Sequence, residues 1–142
     1  MFPSSTHRKF WTFKSEEEVV ECRQAANDKF VSRHKSSNVD FLSYSDSELL
    51  LMFFERKLLD FCLKFKPPMP RSVIGTTFHY FKRFYLNNSV MDYHPKEILV
   101  TAAYLACKVE EFNVSLEQFV ANINGNKERA MEVILNHELL VI

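Results

Sequence analysis

The chain has 142 residues, 46% of them hydrophobic and fourteen of them phenylalanine, which suits one domain with a sizeable core and excludes disorder throughout. Eighteen basic residues balance eighteen acidic ones, so no net field draws the chain to phosphate backbones or acidic membrane surfaces. The only two glycines, Gly75 and Gly125, cannot build a phosphate-cradling loop or a dinucleotide fingerprint.

Residues 1–14 mix Pro, Ser, His, Arg and Lys without the apolar stretch of a signal peptide. Ser15 followed by Glu18 has capping-box spacing, and Val19, Cys22, Ala26 and Phe30 recur at helical intervals, which predicts a short amphipathic helix. Residues 31–44 lose that periodicity and read as a connector carrying the helix away from the main body. The expected division is therefore an N-terminal helix and connector over 1–44 and a main domain over 45–142.

Ser45 and Glu48 repeat the capping box, and Leu50, Phe54, Leu58, Phe61 and Phe65 form a stripe that Pro67, Pro68 and Pro70 end. Pro70 opens a second core helix whose stripe is Ile74, Thr77, Phe78, Phe81, Phe84 and Tyr85, with Lys82 and Arg83 outward. His94 and Pro95 open a third. Its Ile98, Leu99, Ala102, Ala103, Leu105, Ala106 and Val109 leave little polar surface, so other helices must surround it. Ser115 and Gln118 cap a short fourth helix carrying Leu116, Phe119, Val120 and Ile123, and Asn124 and Gly125 end it. A fifth starts near Asn126 and runs to Ile142. No segment alternates with period two for long enough to make a strand, so the expected fold is all-α: five helices around the third, with an additional N-terminal helix. The longest nearly apolar run, residues 98–107, is too short to cross a bilayer, and a soluble chain without membrane contact is expected.

Little in this sequence points to catalysis or to a metal. His7, His34, His79, His94 and His137 form no HExxH and lie near no cysteine at ligand spacing. Cys22, Cys62 and Cys107 are far apart and make no CxxC pair, which fits a reducing, intracellular compartment. GxSxG is missing, and Cys107 sits in the apolar middle of a helix, where a thiol packs and does not react. Lys82 and Arg83 beside Tyr80 and Tyr85 form a small basic patch, but two adjacent cations on an amphipathic helix belong to its solvated face. Neither cofactor nor direct nucleic-acid contact is expected. Two charges stand out. Lys108 interrupts the row Thr101, Tyr104, Leu105 and Phe112, and Glu138 interrupts the row Met131, Leu135 and Ile142. Both fit an internal ion pair between the third and fifth core helices, and both fit an interface into which the two charges point.

Several long blocks resemble the cyclin family. They are residues 11–13 (Trp-Thr-Phe), 66–76 from Lys66 to Thr76, 80–91 from Tyr80 to Met91, Tyr93-His94-Pro95, and 105–114 from Leu105 to Val114. They cover nearly the whole chain in order. The resemblance implies a five-helix cyclin box whose third and fifth helices pack against the C-helix of a cyclin-dependent kinase and hold it in its active position. It carries a lysine near the end of the third helix and a glutamate in the fifth onto Lys108 and Glu138, with Leu105, Val109 and Ile142 as apolar contacts of the same surface.

The resemblance further implies a regulator with no catalytic groups of its own. Many cell-cycle cyclins have an aspartate at the position of Lys82, which pairs with an arginine at that of Arg71; its absence resembles the transcriptional subset. The implied partners are the kinase of the CDK-activating trimer and its assembly factor, within the general transcription factor TFIIH, and the implied location is the nucleus. Such cyclins have a second helical repeat, whereas this sequence stops in the last turn of the first. An alternative with the same fold is a helical transcription-factor domain that binds DNA, which the balanced charge disfavours.

Overall fold

The computed structural model describes residues 4–5, 12–35 and 41–141, so Trp11 and Ile142 lie outside the described residues. Among them are six helices and no strand: α1 (Glu16–Arg33), α2 (Tyr44–Lys64), α3 (Arg71–Asn87), α4 (Pro95–Val109), α5 (Leu116–Val120) and α6 (Lys127–Val141). The all-α expectation holds.

The centre is α4, which packs most extensively against α3 and α6 and also against α2. Ile98, Ala102, Ala103 and Ala106 are fully buried along it. Their small side chains let neighbouring axes approach closely. On α2 the buried line runs through Leu51, Leu58 and Cys62 to Phe65 just beyond the helix, while Leu50, Phe54 and Phe61 are partly buried at its edge. The stripe read from the sequence is thus one border of the true face. The opposite side of α2 is also apolar, with Leu49, Met52, Leu59 and Leu63 exposed.

The short α5 is held by its ends and by one ring. Ser115 and Gln118 form the expected reciprocal capping box. Phe119 is fully buried, meeting Phe61, Phe65 and Tyr104 with centroids 5.7, 5.4 and 5.3 Å away. Asn122 then ties this region to the end of α2, accepting from the Lys66 amide at 2.8 Å and donating to its carbonyl at 3.0 Å. Gly125, with φ of 110°, takes the left-handed turn into α6, a conformation glycine adopts without a Cβ penalty.

Two expectations near the start change. The first cap of α2 is Ser43, which accepts from the Asp46 amide at 3.1 Å, not Ser45. Both serines have an acid three residues on, but Glu48 is engaged elsewhere, by Arg23 at 2.6 Å and the Tyr44 hydroxyl at 2.9 Å. That engagement also shows that α1 lies on the main body and is not carried away from it. Asn27, buried on α1, donates to Ser47 at 3.3 Å and accepts from Ser89 at 2.7 Å. Arg33 in the last turn of α1 pairs with Asp92. Asn27, Ser47 and Ser89 therefore form a buried hydrogen-bonded seam between α1 and the main body.

The C-terminus of α4 closes in a Schellman turn. The Phe112 amide donates to the Cys107 carbonyl at 2.8 Å and the Glu111 amide to the Lys108 carbonyl at 3.3 Å, with Glu111 at φ 56° in the position glycine usually fills. A left-handed residue with a Cβ costs about 1–2 kcal/mol, part of which glycine returns through its freer unfolded chain. Glu111→Gly should therefore stabilise the domain by about 0.5–1 kcal/mol in urea unfolding, whereas Glu111→Ala should leave the midpoint nearly unchanged.

A candidate protein-interaction face at the ends of α4 and α6

His94 starts α4 by accepting from the Lys96 amide at 3.1 Å, with Pro95 in the first turn. At the other end of this fifteen-residue helix the Schellman turn fixes Lys108 in the last turn. Asn126 caps α6 by accepting from the Arg129 amide at 3.1 Å. These two capped helices lie against each other and bring together Lys108 and Glu138, whose charged groups pair directly.

The pair is not interior. The Lys108 side chain is 50% exposed and that of Glu138 20%, so it sits at a rim. The reason lies in the rotation of α6. Its buried residues are Val133 and Ile134, with Ala130, His137 and Val141 partly buried, whereas Leu135 and Leu139 face outward, Leu139 being 87% exposed. Met131, Leu135 and Glu138 therefore lie on the border and outside of the helix, not on its core stripe. Two apolar rows run side by side on α6, and only packing against α4 selects the inner one.

Of the other residues assigned to this face, Val109 is 53% exposed in the final turn of α4. Leu105 is only 4% exposed; it supports the face from beneath and offers a partner little surface. Ile142 lies outside the described residues. Leu135 and Leu139 were missed because periodicity alone cannot tell an exposed apolar row from a buried one.

Electrostatically the pair is a rim contact. The hydrogen bond to the Glu138 carboxylate raises the Lys108 pKa above the ordinary lysine value, outweighing slight desolvation. The stabilisation is complete below lysine's ordinary pKa and is lost as pH rises through the raised one. At such exposure it amounts to about 0–1 kcal/mol. The ammonium also lies 5.6 Å from the centre of the Tyr104 ring.

No group of three or more metal-ligating side chains and no helix long and apolar enough to cross a membrane is found among the described residues. Burial, with a smaller contribution from Cys107, pushes the Cys62 thiol up to about 12, and burial pushes Cys107 up to about 11.

Comparison with known proteins fixes the family. The model for the cyclin N-terminal domain matches residues 58–142. The chain belongs to the cyclin family. Cyclin-H of Xenopus laevis is 46% identical over 151 residues, an alignment covering all of this chain and 47% of that protein. Cyclin mcs2 of Schizosaccharomyces pombe is 31% identical, over 99% of this chain and 47% of its own. Among solved structures, a chain in the CAK complex of Chaetomium thermophilum bound to ATP-gamma-S aligns with a TM-score of 0.80 at 28% identity, covering 99% of this chain and 45% of that one. A chain of yeast TFIIK (Kin28/Ccl1/Tfb3) aligns with a TM-score of 0.76 at 23% identity, covering 97% and 52%, which shows shared fold. This cyclin chain spans about half the length of the curated relatives it matches.

The thiols give a test of the packing around this face. With native cyclin at about pH 8, a thiol-titrating disulfide should label half-buried Cys22 quickly, while Cys62 and Cys107 should react only on unfolding.

Proposed function

We propose that this cyclin is the regulatory module of a cyclin-dependent kinase and that it works by holding the kinase's C-helix in place. The observation that carries the proposal is the Lys108–Glu138 pair at the adjoining ends of α4 and α6, flanked by exposed Val109, Leu135 and Leu139. Apolar side chains around a few polar anchors are what a stable protein interface requires. When a partner covers this rim, the pair loses solvent and its charges become available, at short range, to the partner's backbone and side-chain donors and acceptors.

The mechanism needs no reacting group from the cyclin. In protein kinases a Lys–Glu ion pair between the third strand and the C-helix has to form before the nucleotide phosphates are positioned. A partner that binds the C-helix better in that arrangement shifts the kinase towards it. The α4 and α6 ends supply such differential contacts, with Lys108, Glu138 and Val109 at the surface and Leu105 beneath.

The partner we propose is the kinase of the CDK-activating complex, together with its assembly factor, in a transcriptional and hence nuclear setting. Similarity to cyclin-H and to the chain in the CAK complex supports this. So does 35% identity over 108 residues to an RNA polymerase II holoenzyme cyclin-like subunit of Aspergillus clavatus.

Co-purification with the candidate kinase, followed by a phosphorylation assay with and without the cyclin, tests the proposal. Lys108→Ala and Glu138→Ala should each weaken kinase binding by about tenfold, since truncating one partner of a desolvated pair costs more than 1 kcal/mol. Each should cost the isolated domain less than about 1 kcal/mol in unfolding. Loss of folding with kinase affinity unchanged would assign the pair to the domain alone.

A further inference from the structure

His137 and Glu138 are neighbours on α6, yet they reach towards opposite ends of α4. The His137 Nε2 lies 3.6 Å from Glu97 Oε2 in the first turn of α4, while the Glu138 carboxylate takes the ammonium of Lys108 in the last. Those two positions on α4 are about 16 Å apart along the helix axis. Thus α6 is braced towards both ends of the central helix from a single point. The other ring nitrogen of His137, Nδ1, is 2.8 Å from the Val133 carbonyl oxygen.

Both imidazole nitrogens therefore face acceptors. A neutral imidazole has one N–H and can donate to only one of them, whereas the imidazolium donates to the Val133 carbonyl and pairs with the Glu97 carboxylate together. We propose that His137 is a positioning residue: protonated, it holds α6 towards Glu97 and so sets where Glu138 lies against Lys108, and the pair loosens as His137 loses its proton. The inference rests on reading the ends of α4 and α6 as the kinase-binding face.

The surroundings leave His137 in control. Glu97 comes from α4, and Tyr93, from the loop before α4, meets the imidazole edge-on at 6.5 Å. From α3 comes Tyr85, whose hydroxyl donates to the Tyr93 carbonyl at 2.8 Å. Burial, and then the Glu97 charge, push the Tyr85 phenol far above its usual range, so it stays neutral. Arg83 of α3 lines the far end of α6 beside Leu140 and Val141. Among the described residues, the hydrogen bond, ion pair and ring contact of His137 come from α6, α4 and the loop before α4, and none from α5.

The test uses the full chain and His137→Gln, which keeps a donor and carries no charge. In carbon NMR between about pH 5.5 and 8, the Glu138 carboxylate carbon and Lys108 Cε should titrate with the midpoint of the His137 ring. That shared midpoint should vanish in His137→Gln and in Glu97→Gln; the second variant, at a half-exposed site, carries the comparison if the first fails to fold. In parallel, kinase affinity should fall roughly two- to fivefold from about pH 6 to 8 in the wild type and stay level in His137→Gln. Glu138 and Lys108 signals that ignore His137 protonation would overturn the inference, as would a pH profile of binding shared by wild type and variant. A shared NMR midpoint in a chain that binds the kinase at no pH would support the positioning role and overturn only the functional reading.

Discussion

A helix with almost no polar surface has to be enclosed, and that requirement on α4 governs the rest of the domain. Ala102, Ala103 and Ala106 are fully buried in its middle, where only small side chains allow close approach of α3 and α6. Its charged groups are confined to its ends, Lys96 and Glu97 in the first turn and Lys108 in the last. Both of those ends engage α6, through His137 and Glu138. The core therefore decides where the charges go: they are excluded from the middle and appear where α4 emerges from its neighbours.

This arrangement reconciles two descriptions of Lys108 and Glu138 that compete when only the sequence is in view. The pair is formed within the chain, yet it lies at the rim with Lys108 half exposed. A contact that contributes little to folding can still contribute to binding, because covering it removes the solvent that screens it. The Schellman turn after Lys108, with Glu111 left-handed, holds the final turn of α4 so that the ammonium is presented from a fixed backbone. The proposed face is thus built on helix ends that are capped and braced, with Leu105 filling the space beneath.

The N-terminal helix is held by a different kind of contact. Where α4 relies on apolar packing, α1 buries Ala26 and Phe30 but is also joined through Asn27, Ser47 and Ser89 and through the Arg23–Glu48 and Arg33–Asp92 pairs. Buried polar seams fix orientation because each donor requires its own acceptor. This seam connects α1 to the start of α2 and to the loop that leads into α4.

The sequence by itself determined the all-α class, the central place of α4 and the reciprocal cap of α5, because these follow from local spacing and from the cost of exposing an apolar helix. Long blocks such as Lys66 to Thr76 and Leu105 to Val114 also made the family legible. Three things were decided by tertiary structure alone. The inner faces of α2 and α6 depend on which of two adjacent apolar rows meets a neighbour, and helical periodicity is equally satisfied by both; hence Leu135 and Leu139 lie outside while Val133 and Ile134 lie inside. The start of α2 depends on a long-range claim, since Arg23 engages Glu48 and leaves the cap to Ser43 and Asp46. The bracing of α6 by His137 and Glu138 towards opposite ends of α4 depends on how the two helices cross, and no spacing within either helix encodes that crossing.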